Sequence, residues 1–145
     1  NKIKKGNKFF EKSLSIIEKK YFDRIKVIRT IDNPYPSHIK NVECCDILLD
    51  QVYAYDQGYN ALEAMALGKV VFTGAEVEWA EYYNTKEDMV AINALPDINK
   101  IVDKLSWLIE NPIHLENISK NARKFIEDYH NYKSIALKYI SNWEK

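Results

Sequence analysis

Cysteine is nearly absent from this sequence: two residues, Cys44 and Cys45, stand side by side. Adjacent cysteines rarely bridge each other, and a lone pair offers no zinc-ligand spacing, so neither a disulfide scaffold nor a zinc module is indicated. Their expected role is that of two small buried apolar residues, in a reducing, cytoplasmic setting. Glycine and proline are scarce, four of each in 145 residues, so most of the chain should be regular structure, with no low-complexity linker. A surplus of either charge is missing as well: Lys and Arg number 21, and so do Asp and Glu. A dedicated nucleic-acid binder would carry a basic excess, whereas a small anion needs only a local cluster of donors. No apolar run approaches the ~20 residues that cross a bilayer.

What is present is an ordinary globular composition, 46% hydrophobic and 29% charged, enough for one domain spanning residues 1–145 with its own core. Phe10, Leu14, Ile17 and Tyr21 follow helical spacing and predict a helix over roughly 7–20. Ile25, Lys26, Val27 and Ile28 read as a short buried strand. Pro34 and Pro36 within Asn33-Pro34-Tyr35-Pro36-Ser37 predict a loop, after which Ser37 could cap a short helix carrying Ile39 and Val42. Ile47, Leu48 and Leu49 form the middle of a second strand, apolar enough to be covered on both faces. A helix over about 59–67 is closed by Gly68, where a left-handed residue is wanted. Residues 69–73 and 89–92 supply two more strands. Asp97 should cap a helix that Asn111-Pro112 stops, and a long or broken helix with a helical tail completes the chain.

Strands alternating with helices imply an α/β fold, a Rossmann-like parallel sheet with helices on both faces. A helix opens the chain with no strand before it, whereas the first strand of a doubly wound sheet lies at its centre and feeds that helix. The expectation is that the chain begins inside a larger domain whose first strand precedes Asn1.

The segment from Asp50 to Val71 carries the chemistry: strand end, polar loop, glycine, helix, glycine, strand. Gly58 would let a ligand approach the backbone. The N–H groups of Tyr59 and Asn60 would stand unpaired at the start of the helix, where free donors and the helix dipole together attract an anion. Glu63, one turn in, can accept two hydroxyl hydrogen bonds from a sugar ring. Phosphate donors beside a hydroxyl acceptor suit a nucleotide or nucleotide sugar. On the residues alone, Glu63 could equally be a carboxylate that complements the helix N-terminus, and Gly58 an ordinary loop glycine.

Gly58 followed by Leu62-Glu63-Ala64-Met65-Ala66-Leu67-Gly68-Lys69-Val70-Val71 resembles the signature of GT-B glycosyltransferases, especially the large retaining family four. Lys5-Gly6 before an amphipathic helix, Asp46-Ile47 before the motif and the Asn121-Ala122-Arg123 helix resemble the same C-terminal domain, so the likeness covers nearly the whole chain. It implies that Glu63 binds the ribose hydroxyls of a UDP- or GDP-type sugar donor and that Lys5 pairs with the diphosphate. It further implies that Gly58, Tyr59 and Asn60 meet the phosphates and the donor sugar. The leaving group needs no metal and no cofactor there. The acceptor, a glycan or lipid, would be held by an N-terminal domain of a two-domain parent, with peripheral association of that parent at the inner face of the membrane. This part alone would bind nucleotide weakly and catalyse nothing. Two departures stand out. Tyr55 occupies the position of the family's first glutamate, with Asp56 beside it as the substitute, and Asp50-Gln51 replaces the usual Pro-Ser.

Other candidates have plainer roles available. Glu76, Glu78 and Trp79, beyond the third strand, could touch the donor, or could be a solvated loop with one anchoring tryptophan. Tyr35 and His38 could flank a nucleobase, though a turn tyrosine and a surface histidine are commoner. His114 and His130 read as structural, and Lys2 and Lys4 as solvated. Two rival functions remain at this point: a receiver-like signalling module with Asp50 as phospho-acceptor, and a non-catalytic α/β protein that kept the glycosyltransferase frame.

Overall fold

A computed structural model describes residues 5–143; Lys2, Lys4 and the strand expected ahead of Asn1 lie outside the described residues. The helices are α1 (Asn7–Lys20), α2 (Tyr35–Glu43), α3 (Tyr59–Ala66), α4 (Val77–Tyr82), α5 (Ile98–Glu110), α6 (Pro112–Tyr129) and α7 (Tyr132–Trp143). The strands are β1 (Ile47–Leu49), β2 (Val70–Thr73) and β3 (Ile92–Asn93). They form one parallel sheet in the order β1-β2-β3, with Leu48 opposite Val71 and Phe72 opposite Ile92.

Side chains alternate across a strand, and here the alternation divides the core in two. Ile47, Leu49, Val70, Phe72 and Ile92 face one side, where they meet Phe10 and Ile17 of α1 and Ile101, Leu105 and Leu108 of α5. Leu48 and Val71 face the other, where α2, α3, α4 and α6 supply Val42, Met65, Trp79 and Phe125. Alanines dominate this second layer: Ala61, Ala64, Ala75, Ala80, Ala91 and Ala122 are all buried in it. The expected α/β layering with helices on both faces is what the chain adopts. Emptying a central position such as Phe72, fully buried, would cost about 3–5 kcal/mol.

The caps explain where the helices begin and end. Asp97 accepts from the N–H groups of Asn99 and Lys100 at 2.9 and 3.3 Å and so starts α5. Gly68 sits at φ +68°, the left-handed conformation that terminates α3. Ser119 of α6 donates to the Gly68 carbonyl at 2.5 Å, and Arg123 donates to the Ala66 carbonyl, so α6 fastens the end of α3. The expected break near the C-terminus falls at His130 and Asn131. There Asn131 Oδ1 accepts from the N–H groups of Lys133 and Ser134 and opens α7.

Several expectations need correction. Residues 25–28 form no strand: Ile25 and Val27 are half-buried, with Lys26 and Ile28 exposed, but no sheet ladder joins them among the described residues. Asn33-Pro34-Tyr35-Pro36-Ser37 is not all loop. Pro34 is the N-cap, the helix already includes Tyr35, and Pro36 sits in its first turn, where the missing N–H is not needed. Ser37 is therefore not a cap; its N–H donates to the Pro34 carbonyl at 3.0 Å. The strand expected over 89–92 is shorter and later, Ile92–Asn93. Residues 77–82 are helical, with Trp79 buried against Phe125, so the anchoring tryptophan holds and the solvated loop does not. Strand β1 is half-buried along its length, because β2 is its one neighbour among the described residues. Cys44 is exposed and Cys45 half-buried, since both follow the last turn of α2 at the surface.

Candidate functional site at the C-terminal end of the sheet

Beyond the last residue of each strand the chain turns over the same end of the sheet. Asp50 continues β1, its N–H donating to the Phe72 carbonyl at 2.9 Å. The loop that follows passes so close to the end of β2 that a Cβ on Gly74 would overlap the Ala54 carbonyl and stand 2.8 Å from the Asp56 nitrogen. Gln57 donates to the Gly74 carbonyl at 2.7 Å and the Glu76 N–H to that of Tyr55 at 3.2 Å. The loop is thereby fixed before it enters α3.

Lys5 and Gly6 arrive at this end from α1. Gly6 has φ +69°, and a Cβ there would overlap Val52. The Val52 N–H donates to the Lys5 carbonyl at 3.1 Å. The turn thus aims the Lys5 side chain at Asp50, whose side chain is 1% exposed. The ammonium meets Asp50 Oδ1 at 2.5 Å, and Asn60 Nδ2 donates to the same oxygen at 2.8 Å. Thr73 Oγ1 lies 3.4 Å from Oδ2. A buried carboxylate is tolerated only with such partners.

Because Asn60 turns its amide nitrogen toward a carboxylate that only accepts, its Oδ1 faces His38. The His38 Nε2, 2.6 Å away, therefore carries the proton. A second tie runs between the same two helices: Tyr35 Oη donates to Glu63 Oε1 at 2.8 Å. That hydrogen bond raises the Tyr35 pKa, with partial desolvation adding to it. At the third strand, Asn93 Oδ1 accepts from the Ala75 N–H at 3.3 Å and its Nδ2 lies 3.4 Å from Glu76.

No side chain caps α3; Gly58 precedes it in an extended conformation, and the Gly58 carbonyl is taken by the Leu62 N–H at 3.0 Å. The N–H groups of Tyr59 and Asn60 lie in the first turn, ahead of any intrahelical partner. Gly58 is exposed, and a Cβ there would make only an ordinary 3.7 Å contact with Gln51. The chain conformation does not demand glycine at this position.

Of the residues singled out from sequence, Lys5 and Asn60 are joined through Asp50, Gly58 and Tyr59 open the helix, and Glu63 follows one turn later. Tyr55 and Asp56 lie exposed in the loop. Three further residues join this cluster. From sequence Asp50 reads as a departure from the family's Pro-Ser or, in the rival reading, as a phospho-acceptor, and its partners come from distant parts of the chain. Tyr35 and His38, i and i+3 on α2, read from sequence as neighbours of a nucleobase or as a turn tyrosine and a surface histidine, and here each bonds to α3. Glu78 is exposed, and His114 stacks on Trp107 with ring centroids 4.9 Å apart. Among the described residues no three His, Cys, Asp or Glu side chains form a group that could hold a metal, and no helix is long and apolar enough to cross a membrane.

Comparison with known proteins assigns the chain to a family. No curated protein matches the chain. Among solved structures, the chain resembles the crystal structure of the C-terminal domain of a glycosyl transferase group 1 family protein, LpcC, from Francisella tularensis. The TM-score is 0.68 at 20% identity, over 89% of this chain and 81% of that one. This likeness shows the fold. The model of the family "Glycosyl transferases group 1" matches residues 5–125, from Lys5 to Phe125, one turn short of the end of α6. The chain belongs to the group 1 glycosyl transferases.

Proposed function

We propose that this chain is the donor-binding part of a two-domain, retaining glycosyltransferase, and that it takes a nucleotide sugar of UDP or GDP type at the mouth of α3. Family membership supports a transferase that moves a sugar from a donor to an acceptor. The observation that carries the finer reading is the meeting of three things at one sheet end: an uncapped helix start, the Lys5 ammonium and the Glu63 carboxylate.

The chemistry assigned to each follows from its position. The free N–H groups of Tyr59 and Asn60, with the helix dipole behind them, hold the diphosphate. An ammonium has three protons; Asp50 occupies one, and Lys5, 42% exposed, offers the others to phosphate oxygens. Charge that grows on the leaving diphosphate as the sugar departs is stabilised by the same donors. Glu63, with one oxygen engaged by Tyr35, accepts from the ribose hydroxyls. Asp56 lies in the loop above, where the donor sugar would sit. The acceptor, glycan or lipid, is held by another domain of the parent.

A receiver-like module gains no support, because Asp50 is closed off by its partners. A frame that has lost activity is separated by Glu63→Ala in the full-length parent: a large loss of activity supports the enzyme, and no loss favours the frame. Calorimetric titration of the chain with UDP, GDP and ADP should show binding of at least one, and indifference to all three would defeat the donor-site reading.

A further inference from the structure

We infer that Tyr35 is a positioning residue for Glu63, holding its carboxylate in the orientation that accepts hydrogen bonds from the vicinal diol of a ribonucleotide. This rests on the donor-site reading above and adds a residue from a different helix. Two rungs join α2 to α3: Tyr35 to Glu63 at 2.8 Å and His38 to Asn60 at 2.6 Å. Each pair of residues is one turn apart on its own helix, so the rungs stack side by side.

A glutamate on a helix surface has three rotatable bonds and loses rotamer freedom when it is fixed. The two-bonded tyrosine is stiffer, and anchoring Glu63 to it removes part of that cost before a ligand arrives. An ionised carboxylate offers about four acceptor directions. The phenol takes one on Oε1 and leaves Oε2 whole for the two hydroxyls of a diol. The phenol does not earn its place by packing. Tyr35 is 61% exposed, and the buried residue of α2 is Val42. A phenol is protonated through neutral pH, so the hydroxyl remains a donor there.

The test is Tyr35→Phe, which removes the hydroxyl and keeps the ring, in the 145-residue chain. UDP, GDP and ADP are titrated against their 2′-deoxy counterparts, with inorganic pyrophosphate as a third arm. The unaltered chain should prefer the ribonucleotide. Tyr35→Phe should weaken ribonucleotide binding about fivefold, weaken the deoxy form less because it keeps only one of the two hydroxyls, leave pyrophosphate unchanged, and so shrink the ribose preference. If the preference is present and Y35F keeps it whole, the Tyr35 role is overturned and the site reading stands. If the unaltered chain binds no nucleotide, or binds both sugars equally, the diol reading of Glu63 fails and this inference fails with it. A fall in unfolding temperature with parallel losses for all three ligands would assign Tyr35 to structure and overturn the inference.

Discussion

The Lys5 ammonium meets Asp50 Oδ1 at 2.5 Å across 45 residues of sequence. With the Val52 N–H to Lys5 carbonyl bond, it ties the chain just ahead of α1 to the end of β1. Lys5→Met would leave the buried Asp50 with Asn60 and a long approach from Thr73. The expected loss is about 1–3 kcal/mol, toward the lower end because Lys5 is partly solvated. Urea denaturation of Lys5→Met, Asp50→Leu and the double variant should give a coupling of at least ~0.5 kcal/mol. Additive effects would mean that the pair contributes nothing of its own.

Three glycines should separate fold from ligand. Gly74→Ala drives a methyl into the Ala54 carbonyl and should destabilise by more than ~2 kcal/mol. Gly68→Ala places a side chain at φ +68°, at a cost of about 1–2 kcal/mol. Gly58→Ala is free of both problems and should leave stability within ~0.5 kcal/mol, yet its methyl stands at the mouth of α3. Thermal unfolding and nucleotide titration of the three variants should therefore rank them in opposite orders for Gly58 and Gly74.

Glu63→Gln keeps the shape of the side chain and removes its charge. Nucleotide affinity should fall about 10-fold or more, the scale of a hydrogen bond to a charged group, while pyrophosphate binds as before. A proportional fall for both ligands would place the carboxylate away from the ribose.

His130 gives a pH dependence of known sign. Burial holds its pKa below the ordinary 6.5, so the folded protein disfavours the imidazolium. Above pH 6.5 the residue is neutral folded or unfolded, and stability is at its full value. As pH falls below 6.5 the unfolded chain takes up the proton first, and stability drops until the folded pKa is passed. Urea midpoints between pH 8 and pH 5 should show that decline, and His130→Phe should flatten it.

Much of this was legible from sequence, for reasons that differ by element. Phe10, Leu14 and Ile17 repeat at helical spacing, and Asp97 and Gly68 are local caps; such signals depend on a few neighbours along the chain. Ile25 to Ile28 has a strand's composition, but a strand is also a statement about a partner, and composition does not supply one. Residues 77–82 are too short for periodicity to show. The candidate site divides the same way. Glu63 and Gly58 sit in one contiguous motif. Asp50 gains its meaning only when Lys5, Asn60 and Thr73 converge from three other elements, and Tyr35 and His38 only when α2 lies along α3.

The alanines on the buried face of α3 carry one more consequence. With Ala61 and Ala64 of α3 and Ala122 of α6 buried in the same layer as Met65, much of the helix's support is methyl groups, which have no rotamers to yield. Exchange for valine or leucine there would lift the whole helix and carry Asn60 and Glu63 with it. Mutational drift at these interior positions would then be felt as altered substrate recognition, although no such side chain is exposed to a substrate.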